Sequence, residues 1–356
     1  MKGGPRRVTI RDIAERSGVS KATVSFAFNT PWKITEETRD RVLRVAEELE
    51  YIPDPVARTL ATKRIGSIGL LLPKPIQETF QNPYLFEVIQ GIGSVCHAED
   101  LSLTILPPVK GLLTQTVRTA VVDAIITIGI GADAEILELI RKRQLPFVTI
   151  DGNPGAGALN VGIDDEQAGF ELMSHVLSLG HTRIVVISLL NVYENLMGHD
   201  HRTAFHSSLV DLRLRGLERA LADRSLRVND DTIRVYPCDV FLETTDQMVV
   251  PLLEGPGRPT AVVCLSDLSA LGVYSACASL GLSIPEDLSV AGFDGISFGS
   301  LVRPPLTTIV QPSFEKGKTA AELVLRKLRG ENPVDVLLPF HLKIAPSTGA
   351  PPKVTG

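Results

Sequence analysis

Ser20, Lys21, Thr23, Ser25 and Asn29 are short hydroxyl or amide donors and one cation, gathered within ten residues. Such groups reach phosphates and base edges without filling a groove, so together they could grip a nucleic acid. Two other constellations point to different chemistry. Gly129-Ile130-Gly131-Ala132-Asp133-Ala134 follows a strand-like run, with Asp151 about twenty residues on, the form of a dinucleotide fingerprint. That motif opens a third strand–helix turn rather than a first, and no proton-transfer set accompanies it, so an oxidoreductase is the weaker reading and no cofactor is expected. His199, His201 and His206 cluster near Asp200, where a solvated polar loop outweighs a metal site. Cys96, Cys238, Cys264 and Cys277 form no C-x-x-C pair, which favours buried free thiols in a reducing compartment.

The donors at 20–29 need a scaffold, and the flanking sequence supplies one. Thr9 and Asp12 have capping-box spacing, and Ile10, Ile13 and Ala14 then recur at helical spacing. Gly18 breaks that helix. A second starts near Ser20 with Val24, Ala27 and Phe28 on one face, and Thr35 caps a third that buries Val42, Val45, Ala46 and Leu49. A small Ala14, a turn glycine at 18 and an apolar Val24 are the pattern of a helix-turn-helix, whose second helix can enter a major groove. Charge agrees: residues 1–64 carry a net +4, whereas the rest carries −9, within a chain of net −5. A basic head on an acidic body suits a polyanion at one end only.

Pro53 and Pro55 end the third helix and stiffen an extended link. Residues 56–61 are long enough for a helix of about two turns, marginal alone and expected to order against a partner. From Gly66 onward, continuous apolar runs at 67–72, 101–106, 124–128, 147–150, 183–188, 261–265 and 288–291 alternate with helical patterns at 85–98, 133–141 and 166–179. That alternation predicts parallel sheets covered on both faces. No apolar run reaches the ~18 residues of a membrane span, and the basic N-terminus has no apolar segment behind it, so a cytoplasmic location is expected. The body alone would fit a secreted solute-binding protein; the basic head argues against that.

The runs VTIRDIAERSGVSKATVSFAFN and ITEETRDRVLRVAEELEYIPDPVARTLA resemble the lac repressor (LacI/GalR) family, as do NPYLFEVIQGI, VGIDDEQAGFELMSHVLSLGH, GLSIPEDLSVAGFDG and PPLTTIVQP. The resemblance covers almost the whole chain. It implies a non-enzymatic, DNA-binding transcriptional regulator, a repressor, acting as a homodimer on a near-palindromic operator and controlled by a small molecule, with a carbohydrate the commonest case. It implies an α/β fold: an N-terminal three-helix helix-turn-helix head (1–50), a hinge (51–65), and a periplasmic-binding-protein-like body of two doubly wound parallel-sheet subdomains. Those subdomains are expected at 66–163 with 295–327, and at 164–294 with 328–356, so that the chain crosses near 163, 294 and 328.

The resemblance also assigns residues. Lys21, Ala22 and Phe26 fall on base-reading positions, and Thr9, Ser20, Ser25, Asn29 and Thr38 on phosphate contacts. Tyr51, Ala57 and Arg58 belong to the DNA-contacting hinge, and Leu60 matches a leucine wedged into the minor groove, where a kinked step bends the site. Asn82, Tyr84, Asp151, Arg213, Ser266, Asp294 and Gln311 match effector-pocket positions. Arginine opposite carboxylates suits a polyhydroxylated ligand. The segment 191–209 and the surroundings of Phe241 fit the family pattern least, and Ala345 stands where many members carry a basic residue. The tail after Leu338 has no leucine heptads, which argues against a coiled-coil tetramer.

Phe26 departs from the Arg or His common at its position and cannot form a bidentate contact to guanine; it can meet only a thymine methyl or the backbone. Operators selected from random DNA should therefore be indifferent to guanine at the base pair Phe26 faces, and Phe26→Arg should install a guanine there. An unchanged preference in that variant overturns the assignment.

Overall fold

The computed structural model describes residues 8–54, 59, 62, 64–72, 74–106, 113–129, 135–152, 159–189, 208–228, 232–239, 242–255 and 257–352. The chain divides into two compact units, residues 1–65 and 66–356.

In the first unit, α1 (Ile10–Ser17), α2 (Lys21–Asn29) and α3 (Glu36–Glu48) surround a small core of Ile13, Ala14, Val24, Ala27, Val42, Val45 and Ala46. The expected caps are in place. The Thr9 N–H donates to Asp12 Oδ2 at 2.8 Å, Ser20 Oγ accepts from the Thr23 N–H at 3.0 Å, and Thr35 Oγ1 accepts from the Thr38 N–H at 3.3 Å. Gly18 ends α1 at φ 70°, a left-handed turn that costs glycine little. A short 3-10 turn, Pro31–Lys33, joins α2 to α3.

The second unit contains β1 (Ser67–Leu71), α4 (Ile76–Thr79), α5 (Pro83–Ala98), β2 (Ser102–Leu106), α6 (Leu113–Thr119), β3 (Ala124–Ile128), α7 (Glu135–Lys142), β4 (Phe147–Ile150) and β5 (Leu159–Gly162). It continues through α8 (Asp165–Ser178), β6 (Ile184–Leu189), α9 (Ser208–Ala222), β7 (Ile233–Cys238), α10 (Leu242–Glu254), β8 (Ala261–Cys264), α11 (Asp267–Leu280), β9 (Ser289–Asp294), β10 (Thr307–Val310), α12 (Ser313–Leu328), β11 (Val336–Leu337) and β12 (His341–Lys343). Two six-stranded sheets result, in the orders β11-β5-β4-β3-β1-β2 and β12-β10-β9-β8-β6-β7. Among the described residues all pairings are parallel except β10 with β12. Both faces of each sheet carry an apolar cluster, which explains the continuous hydrophobic runs.

The first crossing follows β5 and precedes α8. The other two are displaced from 294 and 328. Strand β10 pairs with β9 (Thr307 opposite Ala291), so residues 295–310 stay with the second half. The return comes at 311–312, where α12 lies against α5. Strand β11 then extends the first sheet beside β5, and β12 extends the second beside β10, so the last crossing lies at 338–340. Strands of two to four residues leave too little periodicity to be read ahead of time.

Each half has a close helix crossing built on facing glycines. A Cβ on Gly91 of α5 would overlap the carbonyl of Phe314, and one on Gly317 of α12 would overlap that of Val88. In the second half Gly169 of α8 faces the Arg213 carbonyl, and Gly216 of α9 faces that of Glu166. These contacts are backbone to backbone, so no side chain can yield. Gly317→Ala should lower stability by about 1–3 kcal/mol, read as a fall in the urea midpoint. An unchanged midpoint would mean the helices separate freely.

Candidate functional site

Several polar side chains predicted to line a pocket meet at the junction of the two halves, at the carboxyl ends of the strands. Asp151 follows β4, Ser266 follows β8, Asp294 ends β9 and Gln311 follows β10. This is where open parallel sheets place ligands. Both carboxylates sit on left-handed backbone, φ 52° at Asp151 and 128° at Asp294. Such residues persist only where their surroundings hold them.

The side chains form one continuous chain. Tyr84, second residue of α5, donates its hydroxyl to Asp151 Oδ2. Lys316 of α12 donates to Asp151 Oδ1 at 2.5 Å, to Gln311 Oε1 at 2.5 Å and to the Tyr84 hydroxyl oxygen at 3.3 Å. With its carbonyl oxygen turned to Lys316, Gln311 directs its amide nitrogen to Asp294 Oδ1 at 2.7 Å. Ser266 donates to Asp294 Oδ2 at 3.0 Å. Tyr84, Asp151 and Lys316 belong to the first half, and Ser266 and Asp294 to the second, so Gln311 at the crossing ties them together. Every member is buried, Lys316 completely.

Arg213 of α9 stands beside this chain. Its Nε donates to Asp165 Oδ1 at 2.9 Å and its Nη1 to the Leu265 carbonyl at 2.9 Å, while the guanidinium lies 3.7 Å from the Phe293 ring centroid. At the rim, Lys74 and the half-exposed Asp239 join the two halves at 2.9 Å. Asn82 does not join the chain: it caps α5, accepting from the Tyr84 N–H at 3.0 Å, and so orients Tyr84.

Electrostatics follow from burial. Burial pushes Asp294 up to about 7, against the pull of Arg213 and with help from Asp267. Burial also raises Asp165 despite Arg213, and drives the Tyr84 hydroxyl well above its usual value with help from Asp151. For Arg213, burial works to lower the pKa, but Asp165, Asp294 and Asp151 outweigh it and hold it above its usual value.

Three residues escaped the sequence reading. Asp165 pairs with Arg213. Asp267, pushed to about 6 by burial, accepts from Thr308 Oγ1 at 2.6 Å and from the Gly295 and Ile296 N–H groups at 2.8 and 2.9 Å, and so fixes the turn after Asp294. Lys316 is the third. It shares the spacing of Ala320, Leu323 and Val324, so a lysine on an apolar helical stripe was the available signal.

In the head, Lys21 and Ala22 are exposed on the first turn of α2, and Thr23, Ser25, Phe26 and Asn29 are half-buried along it. Ser20, Thr9 and Thr38 hold capping bonds, and Asn29 donates to Ser25 at 3.3 Å. Tyr51 packs on Phe28 with ring centroids 5.8 Å apart. Ala57, Arg58, Leu60, Phe241, His199, His201 and His206, and residues 130–134 of the glycine motif lie outside the described residues. The four cysteines are buried and free. Among the described residues no helix is long and apolar enough to cross a membrane.

Comparison with known proteins agrees with this architecture. Residues 9–54 match the bacterial regulatory proteins of the lacI family, and residues 173–348 a periplasmic binding protein-like domain. The HTH-type transcriptional repressor PurR of Photobacterium profundum is 30% identical, over 91% of this chain and 93% of its own. A LacI family transcriptional regulator from Enterococcus faecium with bound ribose superposes with a TM-score of 0.66 at 27% identity, over 80% of this chain and 99% of its own. The lac repressor dimer bound to operator and the anti-inducer ONPF shares the fold, with a TM-score of 0.80 at 24% identity over 97% of this chain and 100% of its own.

A buried acid with a raised pKa holds its proton more tightly folded than unfolded, so it destabilises the fold as pH rises from its ordinary value, 3.8, through its folded value. Stability should therefore fall between pH 4 and 7, and Asp294→Asn should flatten part of that decline in pH-dependent urea titrations. A slope equal to that of the native protein would remove Asp294 as its source. With its helix-turn-helix head and periplasmic-binding-protein-like body, the chain belongs to the lacI family of bacterial transcriptional regulators.

Proposed function

We propose that the chain binds a near-palindromic operator as a homodimer, and that an uncharged polyhydroxylated molecule, a carbohydrate or a relative of one, sets its DNA affinity from the cleft between the two halves of the body. The polar chain from Tyr84 through Lys316 to Ser266 carries this reading. Its cations are already matched, Lys316 by Asp151 and Arg213 by Asp165, and Asp294 remains without a cation of its own. Such a site offers an anion no unmatched cation and welcomes hydroxyl groups. Hydroxyls can replace the bonds that Gln311 and Ser266 make to Asp294, so a ligand can enter without stranding a buried polar group. The ribose held by the Enterococcus faecium relative is of this class.

Because the chain links the two halves, a ligand that replaces its bonds shifts their relative position, by no more than its difference in affinity for the two arrangements. That shift would reach DNA through the hinge, changing whether Leu60 and its dimer mate can pair over a kinked step. Two-fold protein symmetry is mirrored in the operator. A dimer is supported by exposed apolar side chains: Phe80 and Phe86, stacked edge-on with centroids 6.3 Å apart, and Phe298 and Leu301. Acting on operator DNA assigns the protein to the cytoplasm.

The test is a thermal-shift screen of neutral sugars and polyols beside their phosphate esters, followed by operator binding with each hit. Neutral compounds should raise the melting temperature and alter operator affinity, and phosphate esters should not. The double variant Arg213→Ala, Asp165→Asn removes the ion pair without leaving either partner charged and alone; it should keep operator binding and lose at least tenfold in response. A response only to anions, or an undiminished response in the double variant, would refute the reading.

A further inference from the structure

The turn after α2 brings a second cation to the base-reading face of that helix. Lys33 Nζ stands 5.2 Å from the centroid of the Phe26 ring. Its backbone is fixed by local bonds: the Thr30 N–H donates to the Phe26 carbonyl at 3.0 Å, the Lys33 N–H to the Thr30 carbonyl at 3.0 Å, and the Ile34 N–H to the Pro31 carbonyl at 3.2 Å. Elsewhere in the head Arg11 is matched by Glu15 and Arg16 by Glu48. Lys33 is exposed and makes no ion pair among the described residues.

By the family resemblance Phe26 falls on a base-reading position, yet it offers no hydrogen bond. The ammonium resting on its ring does. Attraction between a cation and an aromatic face is weak at an exposed site, but it suffices to bias which way a flexible lysine points. It leaves the three N–H bonds free to donate. In the major groove the acceptors that suit lysine are guanine O6 and N7. We propose that Lys33, steered by the Phe26 ring, is a specificity-determining residue that reads a guanine at the base pair next to the one Phe26 meets. The inference rests on the head binding DNA.

Trp32 supplies an internal reporter. It is the chain's single tryptophan, adjoins Lys33 in the same turn and is 77% exposed. If Lys33 enters the groove, the indole beside it comes to the wall of that groove, and its emission changes.

The experiment uses full-length protein and a randomised duplex library, with the native chain, Lys33→Met and Lys33→Arg compared. The native selection should contain a guanine in each half-site that Lys33→Met loses, with discrimination at that pair falling roughly tenfold; Lys33→Arg should keep it. The other selected positions should be unchanged. Trp32 emission should shift on titration with the selected duplex. Three outcomes overturn the proposal: identical selections from the native protein and Lys33→Met; a uniform loss of affinity with a salt slope shallower by about 1, which marks a phosphate contact instead; or Trp32 emission that is unmoved at saturation. A native chain that selects no sequence at all would instead refute operator binding itself, and is recognised as such before any variant is compared.

Discussion

An ammonium sealed from water must find acceptors for all its protons, and Lys316 meets that demand inside the body. An unmatched charge there would cost several kcal/mol. Its three partners, Asp151, Gln311 and Tyr84, therefore hold fixed positions. Much of the junction's organisation follows. Gln311 can orient its amide only one way, and that orientation sets what Asp294 receives. Lys316 reaches this spot because the next residue is Gly317, whose missing side chain lets α12 lie directly on the backbone of α5. Packing and electrostatics at this point are one feature.

The second half solves the same problem with different residues. Arg213 lies one turn from Gly216, and Asp165 one turn from Gly169, so the close crossing of α8 and α9 brings the ion pair together. Both halves thus carry a buried pair near a glycine-lined crossing, one on each side of the junction between them. The likeness extends to strand order, since each sheet places its second strand at the edge and the first one inside it. Two similar sheets thus bring the residues at their strand ends to one junction.

Residues 345–349 close the second half. Ser347 donates to the Val290 carbonyl at 2.6 Å and accepts from the Thr307 N–H at 2.8 Å, and Ala345 exchanges bonds with Thr307 Oγ1 at 2.8 and 2.9 Å. His181, buried and held below its usual pKa by that burial, bridges Thr260, Ser289 and the Gly349 carbonyl. Ala345 takes part through its backbone alone. The segment is a clasp on the second sheet, which accounts for its defined place despite its proline and glycine content.

Local chemistry was legible in the linear sequence. Capping residues, a turn glycine and apolar spacing specify the helical head, because each depends on neighbours within four positions. Apolar runs announced the central strands for the same reason. Tyr84, Asp151, Arg213, Ser266, Asp294 and Gln311 could be nominated by motif, but their partners could not. Asp165 and Lys316 look like ordinary helical charges until distant elements bury them, and Lys316 meets Asp151 across 165 positions of chain. The late crossings were hidden likewise, since β10 and β11 are too short to carry a pattern and take their identity from the strands they join. Whether a charge is solvated or enclosed is a property of the packed whole, and here only the tertiary structure decided it.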